Sequence, residues 1–151
     1  MFPTRLTAAA LMATAGLATP AAAQVLDAVY RGTLVCGDLP FASGRNREAI
    51  EVTISGGSVN FKHVVRLSNS AVEDNAEQGS GTLDGQKLEL QGAWKGSVHG
   101  YQSRYGGTFV RRSAELKGTQ TWTAGGKTFS RDCSGSIKRD FTPLLPKKPA
   151  G

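Results

Sequence analysis

The chain has 151 residues, of which 39% are hydrophobic, 20% charged and 7% aromatic, with a formal net charge of +6. A chain of this size holds one domain with its own core and is too short for two, and its apolar share excludes a disordered polymer. Its 19 glycines follow no three-residue period, which excludes collagen, and no long helical periodicity is present.

Residues 1–23 read as a secretory signal peptide. Arg5 precedes an Ala-rich apolar run from Leu6 to Leu17, and Ala21-Ala22-Ala23 supplies a small-residue cleavage site. The run is too short to span a bilayer. The expected destination is the periplasm or the exterior. Residues 24–140 form the expected domain, and the Pro- and Lys-containing stretch 141–151 is expected to be a flexible tail.

Beyond Gln24 the pattern alternates with period two, broken by Gly, Asn and Asp. Tyr30, Gly32, Leu34 and Cys36 share one face of a first strand. Ile50, Val52 and Ile54 share a face of a second, and Gly56-Gly57 turns the chain. Val59, Phe61, His63, Val65 and Leu67 continue as a third. The polar, acidic stretch 68–78 reads as a long loop with room for a short helical turn. Gly79, Gly81 and Leu83 form a fourth strand, and Asp84-Gly85 is a hairpin signal. Leu88, Leu90, Gly92 and Trp94 line a fifth, followed by a loop over 95–100. Tyr105, Gly107 and Phe109 mark a sixth, with a turn at Arg111-Arg112-Ser113. Ala114, Leu116, Gly118, Gln120 and Trp122 mark a seventh, and Ala124-Gly125-Gly126 turns again. Phe129, Arg131, Cys133, Gly135 and Ile137 complete an eighth. Gly81-Thr82-Leu83, Glu89-Leu90 and Gly92 recur at one constant offset as Gly107-Thr108-Phe109, Glu115-Leu116 and Gly118, as successive hairpins of a meander would.

Cys36 and Cys133 are the two cysteines, and an even count in an exported chain predicts a disulfide. Both take the inward parity, one on the first strand and one on the last. A bridge therefore sets these strands side by side or face to face. The expected fold is all-β: a single antiparallel meander barrel of about eight strands, with a flattened β-sandwich as the alternative. The plan resembles that of small exported meander barrels such as lipocalin-like and avidin-like proteins and barrel-type inhibitors. This likeness of architecture carries no site across.

Three polar residues, His63, Gln120 and Arg131, share the inward parity with apolar neighbours. A buried arginine is costly unless paired, so these residues, with Trp94 and Trp122, are expected to line a pocket at a barrel mouth for an anionic or small polar ligand. Charge is uneven along the chain: six basic and nine acidic residues lie between Gln24 and Trp94, eleven and three between Lys95 and Gly151. Arg104, Arg111, Arg112, Lys117, Lys127, Lys138 and Arg139 are the candidates for a basic face that attracts an anionic envelope component. Inward-facing aromatics and export argue against specific nucleic-acid binding. No nucleophile elbow, metal-ligand cluster, paired-acid signature or cofactor-binding glycine pattern stands out, and His63 and His99 are distant in sequence. The expected function is binding without catalysis, metal or cofactor. The alternatives are an inhibitor of an envelope enzyme, acting through an exposed Leu39-Pro40-Phe41 in loop 37–47 or through loop 95–100, and a hydrolase with an unrecognised site.

Overall fold

A computed structural model describes residues 26–42, 46–67 and 76–142. The stretch expected to be a signal peptide, part of loop 37–47, the centre of the acidic stretch and residues 143–151, expected to be a tail, lie outside the described residues. Eight strands follow one another: β1 (Ala28–Cys36), β2 (Asn46–Ser55), β3 (Ser58–His63), β4 (Glu77–Asp84), β5 (Lys87–Lys95), β6 (His99–Val110), β7 (Ser113–Ala124) and β8 (Lys127–Arg139). Each pairs antiparallel with the next, and β8 pairs back onto β1. The result is a closed barrel rather than a sandwich, with no unpaired sheet edge among these strands. Among the described residues no helix is long and apolar enough to cross a membrane.

Three element boundaries differ from the sequence reading. The third strand stops at His63 rather than Leu67, although Val65 stays buried. The fourth begins at Glu77, inside the stretch read as a loop. The sixth begins at His99, so the β5–β6 loop is shorter than expected. In each case barrel closure decides the outcome. His63 pairs with Glu77 across β3–β4, and Gly100 with Lys95 across β5–β6, and these partners extend or end a strand irrespective of local polarity.

The barrel has two unlike ends. At the turn end, the β2–β3, β4–β5 and β6–β7 hairpins are tight, and both the start of β1 and the end of β8 arrive there. Gly56 and Gly57 have φ of 55° and 83°, as a two-residue type I′ turn requires. In the β6–β7 hairpin the corresponding first position is Arg111, whose φ is 60° in the left-handed region that favours glycine. At the loop end lie the end of β1 and the start of β2, the end of β3 and the start of β4, the connection 96–98 and the Gly125-Gly126 turn.

The alternating inward residues pack as expected, and they segregate. Tyr30, Leu34, Val52, Phe61, Leu88, Phe109, Leu116 and Ile137 belong to an apolar cluster toward the turn end. Trp94, Tyr101 and Trp122 belong to a second cluster at the loop end, closed over by Leu39, Ala42 and Val65. Phe41 stacks on His99 with ring centroids 4.8 Å apart and meets Trp122 and Phe129 at 5.8 and 5.7 Å. Leu39 is thus buried and Phe41 packed, and the exposed Leu39-Pro40-Phe41 patch of the inhibitor reading reduces to Pro40.

The β1–β8 seam is a close approach of backbones. A Cβ on Gly32 would run into the Ser136 carbonyl oxygen, and one on Gly135 into that of Thr33. Only glycine permits this approach on both sides of the seam. Cys36 and Cys133 are direct register partners on the same seam and form the disulfide.

Candidate functional site

Between the two apolar clusters lies a buried polar layer, and Glu77 is its centre. Its carboxyl group accepts from Tyr101 Oη at 2.8 Å, from Tyr105 Oη at 3.0 Å and from Ser103 Oγ, and its Oε2 lies 2.9 Å from His63 Nδ1. Glu77 is fully buried. Its side chain reaches from β4 across β5 to β6 because the intervening inward position is Gly92. A Cβ there would lie 2.9 Å from Glu77 Oε1 and 2.6 Å from Phe61 Cζ.

A second acceptor extends the layer. Gln120 Oε1 accepts from Trp122 Nε1 at 3.0 Å and from Arg131 Nε at 2.7 Å, while Gln120 Nε2 donates to Tyr105 Oη at 2.8 Å. Arg131 also donates to the Gly37 carbonyl at 3.2 Å, and its guanidinium lies 5.0 Å from the Trp122 ring centroid. Burial lowers the arginine from its usual value, against the opposing pull of Tyr101, Tyr105 and Glu77. The acidic and basic centres do not touch; Tyr105 and Gln120 connect them. Linked donors and acceptors of this kind remove the penalty that each group would carry if buried alone.

The structure therefore brings His63, Gln120, Arg131 and Trp122 into one hydrogen-bonded layer, with Trp94 packed on Tyr101 and Trp122 beside it. What they line is small. The cavity touched by His63, Tyr101 and Arg131 has a volume of about 10 Å³, the room of roughly one water molecule. His63 Nε2 is buried and has no hydrogen-bond partner among the described residues. Sequence reasoning missed Glu77, Tyr101 and Ser103. The parity of Gly79, Gly81 and Leu83, extended two residues back, falls on Glu77, and that was the available signal.

Burial, with the Glu77 carboxylate next, pushes the Tyr101 and Tyr105 phenols far above the ordinary tyrosine value of 10.0. The sign of the linkage follows. Below pH 10 both phenols are protonated in the folded and unfolded chains alike, and they impose no pH dependence. Above it the unfolded chain releases these protons and the folded barrel does not. Stability is therefore expected to fall with rising pH by about 1.4 kcal/mol per pH unit for each phenol. Urea unfolding at stepped alkaline pH measures the slope. Absorbance of more than one phenolate, the share Tyr30 can supply, growing near pH 10 while near-ultraviolet circular dichroism stays native would show that Tyr101 or Tyr105 is not buried.

The basic residues separate into groups. Arg111 and Arg112 form the β6–β7 turn, and Lys138 and Arg139 end β8 beside them, with Arg139 N donating to Arg112 O at 2.8 Å. These four share the turn end. Lys117 lies on the outer wall opposite Ser134, and Arg104 stands mid-wall between Gln91 and Thr119. Lys127 lies at the loop end. The basic face expected from composition is thus a basic end, with Lys117 and Arg104 on its flank and Lys127 apart from it. Arg111, Arg112 and Lys138 have no carboxylate partner among the described residues, whereas Arg31 nearby is paired with Glu51 and Asp140. Two exposed hydrophobic side chains join this end: Val110, 67% exposed, and Phe141, 63% exposed. Arg112 and Arg139 place their guanidinium carbons 5.1 and 5.6 Å from the Phe141 ring centroid.

Among the described residues no three His, Cys, Asp or Glu side chains are grouped to hold a metal ion. No protein-family model, curated protein or solved structure matches the chain.

Proposed function

We propose that this barrel is a non-catalytic binding protein of the cell envelope that holds an anionic partner at its basic turn end. The observation that carries the reading is the concentration of Arg111, Arg112, Lys138 and Arg139 at one end, the first three without a carboxylate partner among the described residues. Arg111 adds to it. Its backbone sits where glycine is favoured, and a strained non-glycine residue at an exposed turn points to a role for its side chain. The interior supports the outer surface as the binding region, because apart from His63 Nε2 its polar groups bond one another and the cavity beside them holds about 10 Å³. The disulfide and the signal-like leader support an oxidising compartment.

Binding to polyphosphate, a flexible polyanion without apolar groups, tests the reading. The native chain is expected to bind it with an affinity that falls as salt rises. The variant Arg111→Ser/Arg112→Ser/Lys138→Ser is expected to lose roughly tenfold or more of that affinity, while Lys127→Ser behaves as the native chain. Arg111→Gly is expected to weaken binding while raising stability by up to about 1 kcal/mol through relief of the left-handed backbone. Equal binding by the native chain and the triple variant would overturn the proposal.

A further inference from the structure

We infer that the anionic partner is a phospholipid bilayer surface, on which the turn end docks with Phe141 and Val110 entering the headgroup region. The inference rests on the turn end being the binding surface and goes one step further, to the chemistry of what it meets. Charge alone does not account for this end. Three large hydrophobic side chains are exposed among the described residues, Val98, Val110 and Phe141, and two of them project here among the cations. A soluble polyanion offers nothing to Val110. A bilayer offers phosphates to Arg111, Arg112 and Lys138 and, just beneath them, acyl carbon to the two apolar side chains. The Phe141 ring is held against the Arg112 and Arg139 guanidinium groups, so apolar and cationic groups sit at one level, as a headgroup interface requires.

The outer wall argues for docking rather than spanning. Outward positions on β7 and β8 carry Thr119, Thr121, Thr123, Ser130, Asp132 and Ser134. A membrane-spanning barrel needs an apolar band at such positions.

Trp94 and Trp122 are buried, which makes Phe141→Trp a clean reporter. Its emission is expected to shift to the blue, and to be quenched by brominated acyl chains, on vesicles of phosphatidylcholine containing phosphatidylglycerol, but not on phosphatidylcholine alone. Arg111→Ser/Arg112→Ser/Lys138→Ser is expected to lower partition into the anionic vesicles by about a hundredfold, at about fivefold per cation. Phe141→Ala is expected to lower it roughly tenfold. Both changes are on the exposed surface, and matched melting curves confirm folding. If the native chain binds polyphosphate but not anionic vesicles, or if Phe141→Ala partitions as the native chain does, bilayer docking is overturned while the basic-end reading stands. If neither ligand binds, both are overturned.

Discussion

Replacing Cys36 and Cys133 together by alanine is expected to lower stability by about 4–5 kcal/mol, the chain-entropy value for a loop of this length. The two sulfurs join residues 97 positions apart, so the crosslink removes a large part of the freedom of the unfolded chain. Total stabilities run to about 5–15 kcal/mol, so the loss approaches the whole for a barrel of modest stability. The native side of the balance matters as well. Cys36 and Cys133 are opposite one another in the register that closes β8 onto β1. That pairing is the longest-range contact in a meander and one that no local hairpin supplies. Chemical denaturation with and without reductant, beside the double variant, measures the effect. A reduced chain that unfolds at the same denaturant concentration as the oxidised one would show that the bridge contributes nothing.

The second large effect is expected at Glu77. Glu77→Ala removes the acceptor shared by His63, Tyr101, Ser103 and Tyr105, leaving buried donors without partners, and is expected to cost about 3–5 kcal/mol. Glu77→Gln is expected to be far milder, at about 1–2 kcal/mol. Its carboxamide oxygen can keep the Oε2 partners His63, Tyr101 and Tyr105. Its NH2 group then faces Ser103, whose hydroxyl can turn from donor to acceptor. The ordering is the test, read from denaturation midpoints. Equal losses for the two variants would mean that the carboxylate charge, rather than the hydrogen bonds a carboxamide can keep, is what Glu77 contributes.

Glu77 also shows where the sequence stopped being legible. Strand parity was readable wherever apolar residues alternate, as in Leu88-Glu89-Leu90, because burial on one face leaves a period-two trace. It located the inward His63, Gln120 and Arg131, and it aimed both cysteines at one interior. Glu77 sits at a strand start beside an acidic stretch, where a carboxylate reads as solvated. Its burial depends on the register partner His63 and on the missing side chain at Gly92, and both are tertiary facts. The exposure of Leu39 and Phe41 was misread for a related reason. A loop seen alone has no inside, and the aromatic rings of His99, Trp122 and Phe129 that receive Phe41 come from distant positions. The split of the basic residues was equally invisible. Composition counts charges along the chain, but an antiparallel meander sends alternate turns to opposite ends, which separates Lys127 from Arg111 and Arg112.

Tyr30 pairs with Arg139, and Asp140 N donates to Val29 O at 2.8 Å, so the two chain ends leave the body as neighbours beside the arginines. An affinity tag fused directly before Leu26 or directly after Thr142 would crowd the surface whose binding it was meant to report. Opening the backbone between Gly125 and Gly126 and splicing the old ends with a short flexible link would carry the new ends to the far side. Such a circular permutant keeps the eight-strand ring and the crosslink, and a handle attached there leaves the arginine-bearing side clear for immobilisation experiments.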